Sequence, residues 1–162
     1  MILITNAMKV RIKKQMNKTN LIEQLKVILA STFSYYLKAH NFHWNIEGPD
    51  FPQYHSFLET VYTDSWEAVD AIAEKIRMLD AYAPGSLDRF KQLSNIEDQT
   101  NIPTALKMIK ELYNDTSILQ DDIKSGMKLA DEADEPSISN FLQERYDAHA
   151  KLKWMMRSIT KG

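Results

Sequence analysis

Four side chains that bind metals well fall in two pairs, His55 with Glu59 and Asp70 with Glu74, each spaced i,i+4. On a helix that spacing aims both members of a pair off one face. Glu59 and Asp70 are about eleven residues apart, roughly 16 Å of helix at about 1.5 Å per residue, so no single ion is reached by both pairs. The pairs are nevertheless symmetric: His55 with Glu74, and Glu59 with Asp70, are both centred on the junction of Asp64 and Ser65. A second copy of the helix, laid antiparallel across a two-fold axis near that junction, would bring His55 against Glu74 of the partner subunit. It would bring Glu59 against Asp70 of the partner subunit. Two-fold contacts pair residue i with j and j with i. The spacing therefore predicts two equivalent metal sites, each completed by dimerisation.

His43 is a fifth candidate, on the inward stripe of the preceding helical segment. The chain has no cysteine, so its metal chemistry rests on imidazole and carboxylate. Those donors suit iron, manganese or zinc better than copper(I). Two ions held ~3.5–4 Å apart need a bridging carboxylate, and Glu74, with the longer side chain, is the expected bridge. The Glu-x-x-His motif, which builds di-iron sites inside one bundle, is absent from the chain. Its absence moves the expected site from the bundle interior to an interface. Tyr62 and Trp66 lie on the same stripe, between the two pairs.

Long helices must position these residues. Ile22, Leu25, Leu29, Thr32, Tyr36, His40 and His43 recur at spacings of three and four, which predicts a first helix over about 20–45, ended by Gly48 and Pro49. A second runs over about 51–82, with Asp50 as cap and Pro84-Gly85 as its stop. It is apolar on more than one side, so it touches more than one neighbour. A third spans about 103–131, with Asn101 as cap, and a fourth about 136–159. The first and third links are short and join antiparallel neighbours. The middle link, about nineteen residues, extends to ~60 Å, against roughly 38 Å for a 25-residue helix. It can cross the whole bundle and start the third helix parallel to the second. The expected fold is all-α: a ferritin-like four-helix bundle whose crossover between helices 2 and 3 carries a short extra helix around Leu87, Phe90 and Leu93.

At 162 residues and 44% hydrophobic content the chain can bury one substantial core, and four glycines and five prolines argue against disorder or an all-β fold. No apolar run reaches membrane-spanning length, and Met1-Ile2-Leu3-Ile4-Thr5 is too short for a secretory signal. The absence of cysteine fits a reducing cytoplasm. Residues 1–16 carry Lys9, Arg11, Lys13 and Lys14 with no acid, whereas the whole chain has net charge −2. Residues 1–19 are therefore expected to be a flexible basic tail, and 20–162 the bundle domain. Met16-Asn17-Lys18 also reads as a plausible start.

The run Lys38-Ala39-His40-Asn41-Phe42-His43-Trp44-Asn45-Ile46-Glu47-Gly48, followed by Phe51, His55, Glu59 and Asp70-Ala71-Ile72-Ala73-Glu74, closely resembles the Dps family of mini-ferritins, the DNA-protecting proteins of starved cells. Asn140-Phe141-Leu142-Gln143-Glu144-Arg145 and Lys153-Trp154-Met155-Met156-Arg157 are similar to the family's last helix. The likeness covers about residues 20–160. It implies a dodecameric shell with a two-iron ferroxidase centre at each two-fold interface, oxidising Fe(II), preferably with hydrogen peroxide, and storing ferric mineral. Carried over, His43, His55 and Glu59 come from one subunit, and Asp70 and Glu74 from the other. The family often has aspartate where Glu59 stands, and the longer arm puts the spacing at the second iron in question. Zinc or another divalent ion would suit the same donors.

Other signals have plainer readings. His40 is expected to pack or hydrogen-bond behind His43, and His149 to be a surface or ion-paired side chain. Trp44 and Trp66 are read as core packing, with interception of stray oxidising equivalents as the alternative. Asp131, Glu132, Asp134 and Glu135 complement a helix dipole or line an iron-attracting pore. The rival functions are a nucleoid protein that compacts DNA through Lys9, Arg11, Lys13, Lys14 and Lys18, and a structural helical assembly holding zinc or nothing at its interface.

Overall fold

The computed structural model describes residues 5–161 and is all-helical over them. Its elements are α1 (Asn6–Asn45), α2 (Phe51–Met78), a short α3 (Leu87–Leu93), α4 (Ala105–Glu132) and α5 (Pro136–Ile159). Contacts between α1 and α4 fix the topology. Lys38 meets Asp115, Ser31 meets Asp122 and Asn17 meets the Glu132 carbonyl, so α4 runs antiparallel to α1. The antiparallel neighbour of α1 on its other side is α2, whose first turns face the end of α1 at His43 and His55. Helices α2 and α4 are thus parallel, and the long link between them is the expected crossover. It carries α3 and is pinned by Asn95, which donates its backbone N–H to Ser31 Oγ at 3.0 Å and its side chain to Asp122 at 2.8 Å.

Two apolar clusters fill the bundle. Leu21, Leu25 and Leu29 pack with Ile72, Ile76, Ile123 and Leu142 at one end. Tyr35, Phe42, Leu58, Leu112, Leu119 and Met156 pack at the other. Between them α1, α2, α4 and α5 each bury polar groups, among them Thr32, Ser65, Thr116 and His149. Thr116 accepts or donates at 2.8 Å with Tyr35 and bonds back to the Leu112 carbonyl, and Ser65 bonds back to Val61, so these hydroxyls are satisfied locally. Helices α2 and α5 touch sparingly. Arg145 spans them, donating to both carboxylate oxygens of Asp64 at 3.1 and 2.6 Å. Among the described residues no helix is long and apolar enough to cross a membrane.

Three helix boundaries differ from the sequence expectation. Helix α1 starts at Asn6, so most of the segment expected to be an irregular tail is helical. The cause is local. Thr5 caps the helix by accepting from the Met8 N–H at 3.3 Å. No glycine or proline interrupts residues 6–45. Lys14 and Asn17 also tie the helix to the α4–α5 turn, at Asp134 and the Glu132 carbonyl. Helix α2 ends at Met78, not near Tyr82. Asp80 adopts φ 62°, and two reversed bonds, Asp80 N–H to Arg77 and Ala81 N–H to Ile76, close a Schellman turn. Asp134, φ 60°, closes α4 in the same way with bonds to Asp131 and Ala130. Helix α4 begins at Ala105 with Thr104 at its cap position, leaving Asn101 and Pro103 in the link ahead of it. Asp50 stands at the cap position of α2 but makes no side-chain capping bond.

Candidate metal centre

The short link from Asn45 to Phe51 folds the last turn of α1 against the first turns of α2, which stacks the His43 and His55 rings at a centroid distance of 3.7 Å. Each ring donates its Nδ1 hydrogen to the main-chain carbonyl of the other residue, both at 2.9 Å. A carbonyl oxygen only accepts, so Nδ1 carries the proton in both rings. In the neutral imidazole that leaves each Nε2 with a free lone pair, which is the form that binds a metal. His43 is buried and His55 half-buried, and Phe51 tilts against His55 with centroids 4.9 Å apart.

Glu59 stands one turn along α2 from His55, exposed. Asp70 and Glu74 are exposed near the other end of the same helix. Among the described residues no group of three or more histidine, aspartate or glutamate side chains gathers closely enough to hold an ion. Within one subunit, then, the fold joins His43 to His55 and leaves the three carboxylates on the open face of α2. The donor set fits a hard or borderline divalent ion: two imidazole nitrogens, correctly tautomerised, and flexible carboxylates with no competing ion pairs among the salt bridges described. The junction of Asp64 and Ser65 marks the symmetric midpoint of the spacing, but their side chains do not face outward together. Ser65 is fully buried, and Asp64 is engaged by Arg145.

An aromatic shelf lies beside the histidines. Tyr62 meets His43 edge-on at 5.0 Å, and His40 stacks on Tyr62 at 3.9 Å while its Nδ1 pairs with Tyr36 Oη at 3.2 Å. His40 therefore packs and hydrogen-bonds behind His43 as expected. Burial, and then the neighbouring His43, lower its pKa. Trp44 and Trp66 depart from the core-packing expectation: they are 60% and 55% exposed. Each rests one side on this shelf, Trp44 on His40 at 4.2 Å and Trp66 on Tyr36 at 5.0 Å, and turns the rest outward.

His149 also differs from expectation. It is 1% exposed, edge-on to Tyr35 at 6.0 Å, and its Nδ1 has no hydrogen-bond partner. Burial, reinforced by the nearby Arg145 charge and opposed by Asp64, lowers its pKa to about 4. The signal was present in the sequence. His149 is seven residues from both Leu142 and Met156, the spacing of a core-facing helix stripe. The two carbonyl acceptors of the histidine clamp had no such signal, because main-chain groups carry no side-chain identity.

Comparison with known proteins agrees with this architecture. A family model described as a ferritin-like domain matches residues 22–161. The chain is similar to DNA protection during starvation protein 2 of Bacillus anthracis, with 31% identity over 144 residues, 89% of this chain and 98% of the relative. Its fold is similar to that of a Dps protein from Bacillus brevis, with TM-score 0.87 and 26% identity over 90% of this chain and 97% of that one. A Dps protein from Vibrio cholerae O1, described as one of a broad superfamily of ferritin-like diiron-carboxylate proteins, matches with TM-score 0.87 and 26% identity over 90% and 92%. On the family match and the near full-length likeness together, this chain belongs to the Dps family of ferritin-like proteins.

Proposed function

We propose that the protein oxidises Fe(II) at centres shared between two subunits and stores the ferric product inside a closed, dodecameric shell in the cytoplasm. The reciprocal clamp of His43 and His55 supports this most directly, because it holds two free imidazole nitrogens together, one helical turn from the exposed Glu59. Helix α2 laid against a second copy of itself would add Asp70 and Glu74 of the partner subunit to each such set. Glu74 has the reach to bridge two ions. Fe(II) is the substrate. In the preferred reaction two Fe(II) each give one electron to one hydrogen peroxide, the O–O bond breaks, two protons are taken up, and two waters and two Fe(III) result. Carboxylates bind Fe(III) more strongly than Fe(II) and hand it toward the mineral. Removing Fe(II) and peroxide together limits hydroxyl-radical damage to DNA.

Anaerobic titration tests this. Two Fe(II) per subunit, then rapid oxidation when peroxide is added at one equivalent per two irons, is the expected result. Zn(II), which suits the same donors, should compete. Binding of zinc with no iron oxidation would leave the structural-assembly reading instead.

A second reading, DNA compaction through Lys9, Arg11, Lys13, Lys14 and Lys18, is favoured by the exposure of the first three on α1 and by the names of relatives such as that of Bacillus anthracis. A salt-sensitive gel shift, lost when residues 1–16 are deleted, is its expected signature.

A further inference from the structure

Helix α1 has 40 residues, about 60 Å, whereas α2 and α4 have 28, about 42 Å. Its first buried residue is Leu21, and every residue from Thr5 to Met16 is exposed. The excess is an arm leading to the α4–α5 turn and past it. Two faces of the arm differ. Arg11, Lys14 and Lys18 line a crevice of about 270 Å³ against Ala133 and Glu135, and Lys14 pairs with Asp134 at 3.0 Å. At about 100° per residue, Met8, Ile12 and Met16 form one stripe, centred about 110° round the helix from that crevice. They are 48%, 47% and 60% exposed. Lys9 and Lys13 border the stripe on one side, and Gln15, which also lines the crevice, on the other. Val10, also exposed, stands apart from it. No acidic residue precedes Glu23.

Cations alone suit any polyanion. An apolar stripe bordered by cations suits a surface that is apolar beneath and anionic above. A duplex would take the cations and leave Met8, Ile12 and Met16 in water. We propose that this arm docks on an anionic lipid surface, the stripe entering the headgroup–acyl boundary and Lys9 and Lys13 lying among the phosphates. Several arms on one oligomer would act together, so a weak single contact becomes a firm one.

The test is co-sedimentation of the full-length protein with vesicles of phosphatidylcholine alone and of phosphatidylcholine containing about one-third phosphatidylglycerol. Binding to the anionic vesicles only, weakening with salt, is expected. Lys9→Gln with Lys13→Gln should weaken it about 25-fold, at about fivefold per cation removed. Ile12→Asp should weaken it more than about tenfold, and the uncharged Ile12→Gln should also weaken it while leaving DNA gel shifts unchanged. The arm lies outside the packed core, so all these variants should keep the wild-type melting temperature. Absence of vesicle binding, vesicle binding indifferent to Ile12→Asp, or binding to DNA alone would each overturn the proposal. So would a change in oligomer mass on Ile12→Asp, which would assign the stripe to a contact between copies. Fe(II) oxidation is unaffected by these variants, so this result stands apart from that of the iron chemistry.

Discussion

The His43 and His55 imidazoles hold one another in place through main-chain oxygens, ring over ring at 3.7 Å, with each Nδ1–H on the other residue's carbonyl. Because the acceptors belong to the backbone, removing one ring leaves the hydrogen bond of the other intact. His43→Ala and His55→Ala should each lower the rate of Fe(II) oxidation at least about tenfold and still bind some metal, since loss of lesser metal-site partners already costs about 10–100-fold. The double variant should bind neither ion. Stopped-flow oxidation with anaerobic binding isotherms reads both, and wild-type rates in the single variants would exclude the rings as ligands.

A centre divided between subunits, as proposed, would have a quantitative signature. A chain carrying His43→Ala and His55→Ala, and another carrying Asp70→Ala and Glu74→Ala, should each be inactive alone. In a mixed two-fold pair one site loses both halves and the other keeps both. Random co-assembly should therefore restore about one-quarter of wild-type activity. Centres built within one chain would give none.

Acid should weaken the fold through His149. Its folded pKa is about 4, lowered by burial and then by Arg145. In the unfolded chain it titrates near the ordinary value of about 6.5. Between those values the unfolded state binds more protons, so stability is full above about pH 6.5 and falls as the pH drops toward 4, on the order of 3 kcal/mol in all. His149→Leu should flatten that part of the curve, and it should not destabilise the protein at pH 7, because it removes a buried nitrogen with no partner. Chemical denaturation across the pH series measures both effects.

Arg145 joins α2 to α5 where they otherwise touch little. Arg145→Met should cost about 1–2 kcal/mol, below the range for a fully buried pair because Asp64 keeps 31% of its side chain in solvent. A fall in melting temperature of about 2–8 °C corresponds to that loss in a chain of this size. No change in melting would mean that the apolar clusters alone hold the two helices.

Asp80 closes α2 at φ 62°, a conformation that costs a non-glycine residue about 1 kcal/mol. Asp80→Gly should raise stability by about that amount and Asp80→Val should lower it, both read by thermal unfolding. Asp134 has the same conformation but also binds Lys14, so Asp134→Gly should gain less.

Most helices were legible because helix periodicity is local. Helix α5 spans the expected 136–159, and α3 lies where Leu87, Phe90 and Leu93 implied it. The errors fall where a non-local or backbone effect decides. Helix α2 stops short because the chain reverses at Asp80, a residue that could equally have continued the helix. The first helix runs back to Asn6 because good helix-forming residues meet a cap at Thr5, a pattern that a run of positive charge disguised as a tail. His149 lies inside because burial follows the Leu142–His149–Met156 stripe and not the charge of its sequence neighbours Asp147 and Lys151.

By itself the sequence determined which side chains share a face of α2, since an α-helix repeats every 3.6 residues whatever surrounds it. That alone set Glu59, Asp70 and Glu74 on one stripe with His55 and made their spacing symmetric. Only the tertiary structure decided the chemical state of the histidines. Their tautomers depend on carbonyl oxygens brought within 2.9 Å by the fold of the α1–α2 link. It also decided that Trp44 and Trp66 face outward and that His149 lies inside. Burial belongs to the packing of several helices at once, and no single stretch of chain contains it.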